Sequence, residues 1–287
     1  MWADHLKQVF LLTKPGIIFG NSVTALGGFA LSSQGMIRST LCFALFQGLM
    51  LIIASACICN NLIDCNLDQK MVRTRKRPLP SGAISPQLAT FLAVVLGGTG
   101  SLILGIYTNL LTLFLALAGF FLYVCVYTFS KYKTCYGTWI GTLSGALPPV
   151  IGYTAFSHRI DLAASLLFLM IIFWQMPHFY AIGLFRIEDY RRGNIPIMPL
   201  QKGVLRTKIE MIGCCFGLVV TLALFLFFYP VKLFSFSILL ILALCWWLFS
   251  IRGLTSLNDH KWARQMFFFS LAIVLCFAFF IPLSSFR

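Results

Sequence analysis

The chain has 287 residues, of which 59% are hydrophobic and only 10% are charged. Because soluble domains carry about a quarter charged residues, this composition excludes an ordinary soluble protein and predicts an integral membrane protein. The net charge of +14 comes from basic residues that lie between apolar runs. This pattern indicates membrane orientation and an anionic substrate, and we expect no nucleic-acid partner.

Nine apolar runs follow one another along the chain. Each is close to the ~20 residues that cross a bilayer, and backbone groups in lipid must be satisfied internally, so each run predicts a helix. The expected fold is an all-α bundle of about nine transmembrane helices that forms a single polytopic membrane domain over residues 1–287. The predicted spans are 17–33, 39–59, 87–106, 110–129, 138–156, 162–182, 209–229, 234–250 and 263–283.

The basic residues are divided unevenly between the two sides that nine spans define. Eighteen lie on the side of the N-terminus, which is therefore expected to be cytoplasmic. The segment before the first span has no signal-peptide cleavage pattern and is too short for an organelle transit peptide, which favours a bacterial inner (plasma) membrane. The basic residues on the other side are Arg38, Arg159, Lys232 and Arg287.

The first long cytoplasmic loop combines acidic and basic residues. Asn60, Asp64 and Asp68 recur every four residues, so a helix that continues past the membrane would place their oxygens on one face. Paired carboxylates suit Mg²⁺, which binds one or two carboxylates plus substrate phosphates. Arg73 and Arg77 follow, and the arginine fork matches phosphate oxygens. The loop predicts a magnesium diphosphate pocket, and the alternative is an ordinary juxtamembrane basic loop.

The second long loop, 183–208, contains Glu188 and Asp189 beside Arg186. On the same membrane face as the first loop, it would supply a second acidic wall around one diphosphate. A solvated charged helix end would look the same. Lys131, in a shorter loop on this face, is either a phosphate ligand or a residue that only sets membrane orientation.

Two further patterns lie within predicted spans. His178 follows Pro177, which would kink the sixth span, so the histidine is either a hydrogen-bonded interior residue or a ligand. Small residues on one helix face permit close helix contact, and a broken helix can also line a cavity. A stripe of this kind precedes two prolines in the fifth span, at Gly137, Gly141 and Gly145.

In their order and spacing these motifs resemble the UbiA superfamily of intramembrane prenyltransferases, and in particular its members that farnesylate haem. The resemblance covers nearly the whole chain. It rests on TKPGIIFGN at 13–21, on Asn60, Asp64 and Asp68 followed by RTRKRPLPSG, and on YGTWIGTLSGALPPVIGY at 136–153, WQMPHFYAI at 174–182 and DYRRGNIPIMP at 189–199.

The resemblance implies a central cavity open to the cytoplasm, with farnesyl diphosphate as prenyl donor and Mg²⁺ as cofactor. It implies haem B as acceptor, haem O as product, and hand-over to a haem A synthase or a terminal oxidase. The expected catalytic residues are Asp64, Asp68, Asp189 and Lys131; the metal ligands Asn60, Asp64, Asp68, Glu188 and Asp189; the diphosphate ligands Arg73, Arg77, Lys131 and Arg186; and the haem contacts His178 and Trp174.

Other functions stay open at this point. A UbiA-type enzyme could use a quinone-precursor aromatic acid, although the 174–180 segment and Asn61, where many members have aspartate, resemble the haem-modifying branch. A transporter usually has ionisable residues deep in its spans, and these spans have almost none at mid-depth. A non-catalytic oxidase subunit would leave the charged loops unexplained.

Overall fold

The computed structural model describes residues 2–36, 38–229 and 233–285. Within those ranges the chain is helical, with short connections and no strand. Apolar segments form helices because lipid offers their backbone groups no other partners. The first half contains α1 Trp2–Leu12, α2 Pro15–Ser33, α3 Ser39–Asp68, α4 Pro86–Tyr107, α5 Leu110–Phe121, a π-helical segment Leu122–Tyr127 and α6 Thr128–Ser130.

The second half continues the bundle, and each of the nine predicted spans coincides largely with described helix. The expected all-α membrane fold is therefore confirmed. Of the described helical stretches, seven are long and apolar enough to cross a membrane, so the count of nine spans stays a prediction. The helices are α7 Gly137–Gly145, α8 Leu147–Ser157, α9 Leu162–Phe185, α10 Ile187–Arg192, α11 Met198–Gln201, α12 Val204–Phe228, α13 Leu233–Ile251 and α14 Asp259–Ser285.

The fifth predicted span is two short helices, α7 and α8, separated at Ala146. Pro148 lies in the first turn of α8, where its missing N–H is not needed. Pro148 and Pro149 have no N–H to donate to the carbonyl oxygens of Ser144 and Gly145, so the hydrogen-bond ladder of α7 cannot continue through them. Two prolines therefore end one helix and begin the next inside the bundle, and neither part is long enough to cross a bilayer alone.

Glycines allow the helices around this break to pack closely. A Cβ at Gly28 of α2 would overlap the carbonyl oxygen of Pro149 in α8, and one at Gly152 would overlap the carbonyl oxygen of Ala25. Such contacts bring two helix backbones together. The crossing therefore fixes α2 against the broken helix.

The glycine stripe of α7 has a packing role. A Cβ at Gly141 would lie 2.7 Å from Cδ2 of Tyr127, and one at Gly145 would lie 2.5 Å from Nε2 of Gln175. Gly137 fits against the backbone of Lys131. Of the two alternatives for this stripe, the structure supports close helix contact, and it places Lys131 next to the start of α7.

The two ends of the bundle differ in charge. Arg38 precedes α3 and Asp68 ends it, so these residues are about 45 Å apart along a 30-residue helix. The acidic and basic loops gather at the Asp68 end. Lys232 and Arg287, two of the four basic residues expected on the other side, lie outside the described residues. The assignment of the Asp68 end to the cytoplasm stays a prediction.

Candidate active site

The site begins on the last turns of α3, which continues beyond the predicted span as expected. Asn60, Asp64 and Asp68 have relative exposures of 2%, 5% and 4% and lie one turn apart on one buried face. Burying a carboxylate is unfavourable unless it is paired and hydrogen-bonded. Each of these three side chains does have a partner from another part of the chain.

Asp64 is held by the two residues that follow α6. The ammonium of Lys131 forms an ion pair with its Oδ2, and the hydroxyl of Tyr132 donates to its Oδ1. Burial lowers the pKa of Lys131, which the Asp64 carboxylate opposes. Burial and the same carboxylate raise the pKa of Tyr132, so its hydroxyl stays a donor. Lys131 therefore lies beside Asp64, and its expected contact with phosphate stays a prediction.

Asp68 is held by the loop that follows it. Arg77 donates to its Oδ2 at 2.8 Å, and the hydroxyl of Thr74 donates to its backbone oxygen at 2.9 Å. These bonds fold the basic loop back onto the end of α3. Arg77 therefore joins the carboxylate face, whereas Arg73 is exposed.

Lys14 is a functional candidate that the sequence analysis missed. Its ammonium donates to Oδ1 of Asn60 at 2.5 Å, while the amide nitrogen of Asn60 donates to Thr128 at 3.0 Å. Burial, helped by the charges of Arg77 and Lys131, lowers the pKa of Lys14 to about 8. The TKPG run at 13–16 is the sequence signal that points to this residue.

The second acidic loop contributes one face of the short helix α10. Glu188 pairs with Arg191 at 2.5 Å, and both side chains are more than half exposed. The two residues are three apart on the solvent side of the helix. Its neighbour Asp189 is the half-buried acid of the pair, and the role of Glu188 as a metal ligand stays a prediction.

Tyr190 shows where α10 meets the first loop. Burial raises the pKa of its hydroxyl, and the charges of Arg73, Arg77, Asp189 and Arg186 all act on it. A Cβ at the nearby Gly193 would lie 3.2 Å from Cγ of Met71 in the first loop. The two charged loops are therefore in contact, as the sequence predicted for a shared face.

The carboxylates suit a metal that is completed by a substrate. Within the part of the chain that the structure describes, no three His, Cys, Asp or Glu side chains form a metal-binding group. Mg²⁺ usually needs only one or two carboxylates because substrate phosphates and water supply its other ligands. Asp64 and Asp68 on one buried face meet that requirement, and Lys131 and Arg77 provide the balancing positive charge.

The predicted haem contacts lie on α9 and face α14. Nδ1 of His178 is 2.7 Å from the hydroxyl of Ser270, and Nε1 of Trp174 donates to the carbonyl oxygen of the same residue at 2.8 Å. The two rings stack with centroids 5.2 Å apart. Among the described residues, Nε2 of His178 makes no hydrogen bond.

Two pockets in the described residues lie away from the carboxylates. A small apolar one borders Trp174 between α9, α12, α13 and α14. A cavity of about 400 Å³ lies at the other end of the bundle, beside Arg38 and His158. The predicted central cavity open to the cytoplasm stays a prediction.

A membrane helix bundle with buried carboxylates and matching cations at one end is the architecture of an intramembrane enzyme with an anionic substrate. Residues 21–272 match the model of the UbiA prenyltransferase family, and the chain belongs to that family. It is 46% identical to the protoheme IX farnesyltransferase of Protochlamydia amoebophila, over 96% of this chain and 98% of the relative.

Solved structures share the fold. A digeranylgeranylglyceryl phosphate synthase superposes with a TM-score of 0.81 at 18% identity, over 98% of this chain and 99% of that chain. A UbiA homologue from Archaeoglobus fulgidus bound to GPP and Mg²⁺ gives 0.71 at 12% identity, over 96% and 99%. These likenesses confirm the UbiA-type bundle.

Proposed function

We propose that this chain transfers a farnesyl group from farnesyl diphosphate to a vinyl group of haem B, with water, to give haem O and diphosphate. The observation that carries the proposal is the buried face of Asp64 and Asp68, opposed by Lys131 and Arg77. The extensive identity to a protoheme IX farnesyltransferase supports haem as the acceptor.

The diphosphate would bind between α3, the first loop and α10. Asp64, Asp68 and Asp189 are the proposed Mg²⁺ ligands, and the metal would neutralise charge on the leaving group. The relative bound to GPP and Mg²⁺ supports this use of a divalent ion. Lys131 and Arg77 would turn from the carboxylates towards the phosphate oxygens.

The proposed ionisation breaks the bond between C1 of the farnesyl group and oxygen, leaving its electron pair on the diphosphate. Lys131 and Arg77 would stabilise the growing negative charge. Tyr123 and Tyr127 stack with centroids 5.5 Å apart, and the Tyr127 ring lies 5.5 Å from the Lys131 ammonium. Their ring faces would stabilise the allylic cation below the diphosphate.

The vinyl group of haem would then attack C1 of the farnesyl group. Water would add to the new cation and lose a proton, leaving a hydroxyethylfarnesyl side chain. Water must stay away until the carbon–carbon bond has formed, because it would otherwise hydrolyse the donor. His178 and Trp174 are the proposed haem contacts, with Nε2 of the histidine available to the porphyrin or its iron.

Several membrane helices and a bacterial relative indicate a multi-pass bacterial inner-membrane protein. We propose that the Asp68 end faces the cytoplasm, where farnesyl diphosphate is water-accessible, and that residues 1–287 form one polytopic domain. Hand-over of haem O to a haem A synthase or a terminal oxidase is part of the same proposal.

The test is a turnover assay with purified protein, haem B and farnesyl diphosphate, with Mg²⁺ or with a chelator. Mass spectrometry should detect haem O only when the metal is present. Farnesyl transfer to a quinone-precursor aromatic acid, with no haem product, would assign a different acceptor. Absence of transfer to any acceptor would refute the prenyltransferase proposal.

A further inference from the structure

Helix α1 precedes the first span and has no role in the chemistry above. Its polar residues Asp4 and Lys7 are exposed on one side, together with the partly exposed Leu11. Leu6 and Phe10, one turn apart on another side, have relative exposures of 67% and 61%. A helix with exposed apolar and polar faces is typical of one that lies in the plane of a membrane surface.

The third side of α1 attaches it to the bundle. Val9 and Leu12 pack into a small apolar cluster that includes Ile58 of α3 and Ile84 before α4. Leu6 and Phe10 are thus left unpartnered while their helix is fixed against the protein. Their side chains face the surroundings of the protein, where lipid or another molecule would cover them.

The depth of α1 is set by its contact with α3. The amide nitrogen of Asn61 donates to the carbonyl oxygen of Leu12 at 2.8 Å. Asn61 lies at the end of the apolar run of α3, seven residues or about 10 Å before the helix ends at Asp68. The C-terminus of α1 therefore lies where the bundle passes from apolar to polar surroundings.

The same segment carries Lys14, whose ammonium lies at the face of α3 that presents Asn60, Asp64 and Asp68. After Leu12 the chain turns through Lys14, which has a left-handed backbone (φ 55°) and donates to Asn60. Two adjacent residues of α3 thus hold this turn. Asn61 donates to the backbone oxygen of Leu12, and Asn60 accepts from the ammonium of Lys14. A shift of α1 would therefore displace Lys14.

We propose that α1 is an interfacial anchor whose apolar face, Leu6 and Phe10, inserts at the boundary between headgroups and acyl chains and holds Lys14 at the active-site face. The helix has few charges of mixed sign, with Asp4 and Lys7 both exposed, so apolar insertion and not attraction to anionic lipid provides the binding. The link to diphosphate binding rests on the proposed function, whereas the anchor does not.

The anchor is tested in nanodiscs of phosphatidylcholine alone. A nitroxide amino acid is introduced by codon suppression at position 6, 10 or 7, which leaves the ten cysteines unlabelled. Power-saturation electron paramagnetic resonance should show positions 6 and 10 accessible to oxygen and position 7 accessible to a nickel chelate. Nickel accessibility at all three positions would overturn the anchor.

The link to the site is tested by titrating inorganic diphosphate with Mg²⁺. The double variant Leu6→Gln/Phe10→Gln should bind about tenfold more weakly than wild type, and the control Lys7→Gln should bind equally. On a Lys14→Gln background the double variant should have no further effect, because interacting positions are not additive. The link would be overturned if the double variant bound diphosphate as tightly as wild type. It would also be overturned if the double variant weakened binding on the Lys14→Gln background as much as it does in wild type.

A failure of the proposed function can be distinguished from a failure of the anchor proposal. Wild-type protein that does not bind diphosphate would refute the diphosphate site itself. The accessibility pattern at positions 6, 7 and 10 would still decide whether α1 lies in the membrane interface.

Discussion

At the scale of single residues, two acids that were expected to bind the same metal have different surroundings. Asp68 is buried and bonded to Arg77, whereas Glu188 forms an exposed pair with Arg191. We expect Asp68→Asn to lower kcat/KM by about 10²–10³-fold, as for loss of a group that stabilises transition-state charge. Glu188→Gln, measured in the same haem O assay, should change it little. Equal effects of the two variants would contradict this assignment.

The ammonium of Lys14 predicts a pH dependence. Burial, together with the charges of Arg77 and Lys131, lowers its pKa to about 8, and the charge of Asp64 opposes this shift. Below pH 8 the residue is positive and favours diphosphate; as pH rises through 8 the free protein loses this charge and affinity falls.

The measurement is a diphosphate titration from pH 7 to 9.5 on wild type and Lys14→Arg. Arginine stays protonated throughout this range, so the variant should keep its affinity at higher pH. When one profile is subtracted from the other, the contributions of diphosphate and of other groups that titrate in both proteins cancel. Profiles that fall together would show that Lys14 does not cause the loss.

At the scale of helices, the crossing of α2 and α8 predicts a stability change. A Cβ at Gly28 would overlap the carbonyl oxygen of Pro149, which is backbone and cannot move aside easily. We expect Gly28→Ala to destabilise the protein by about 1–3 kcal/mol. The matched control is Gly20→Ala in the same helix, where no atom lies within 4 Å. Thermal unfolding in detergent should separate the two, and equal melting temperatures would contradict the close crossing.

Regular elements could be predicted from the sequence because their physical cause is local. Apolar runs must form helices in lipid. Because α3 continues past the predicted span, the four-residue spacing of Asn60, Asp64 and Asp68 places their side chains on one face of the helix. The bond between Lys14 and Asn60 could not be predicted, because it joins residues 46 positions apart through a left-handed turn. Spacing also could not separate Glu188 from its neighbour, since the packing of α10 decides which side is buried.

At the scale of the whole molecule, the proposed donor and acceptor contacts lie on different parts of the bundle. The diphosphate residues gather at the end of α3, whereas His178 is tied to Ser270 between α9 and α14. Residues on separate elements with no shared partner should act independently. His178→Ala should therefore weaken haem use without changing diphosphate affinity.

We expect His178→Ala to raise the KM for haem B about tenfold or more, with the Kd for diphosphate and Mg²⁺ unchanged. His158→Ala is the matched control, because that histidine is exposed at the other end of the bundle. Haem O formation over a range of haem concentrations gives the KM for haem B, and calorimetric titration gives the Kd for diphosphate and Mg²⁺. An unchanged KM would remove His178 from the haem site, while a parallel loss of diphosphate affinity would mean that α9 and α3 respond as one unit.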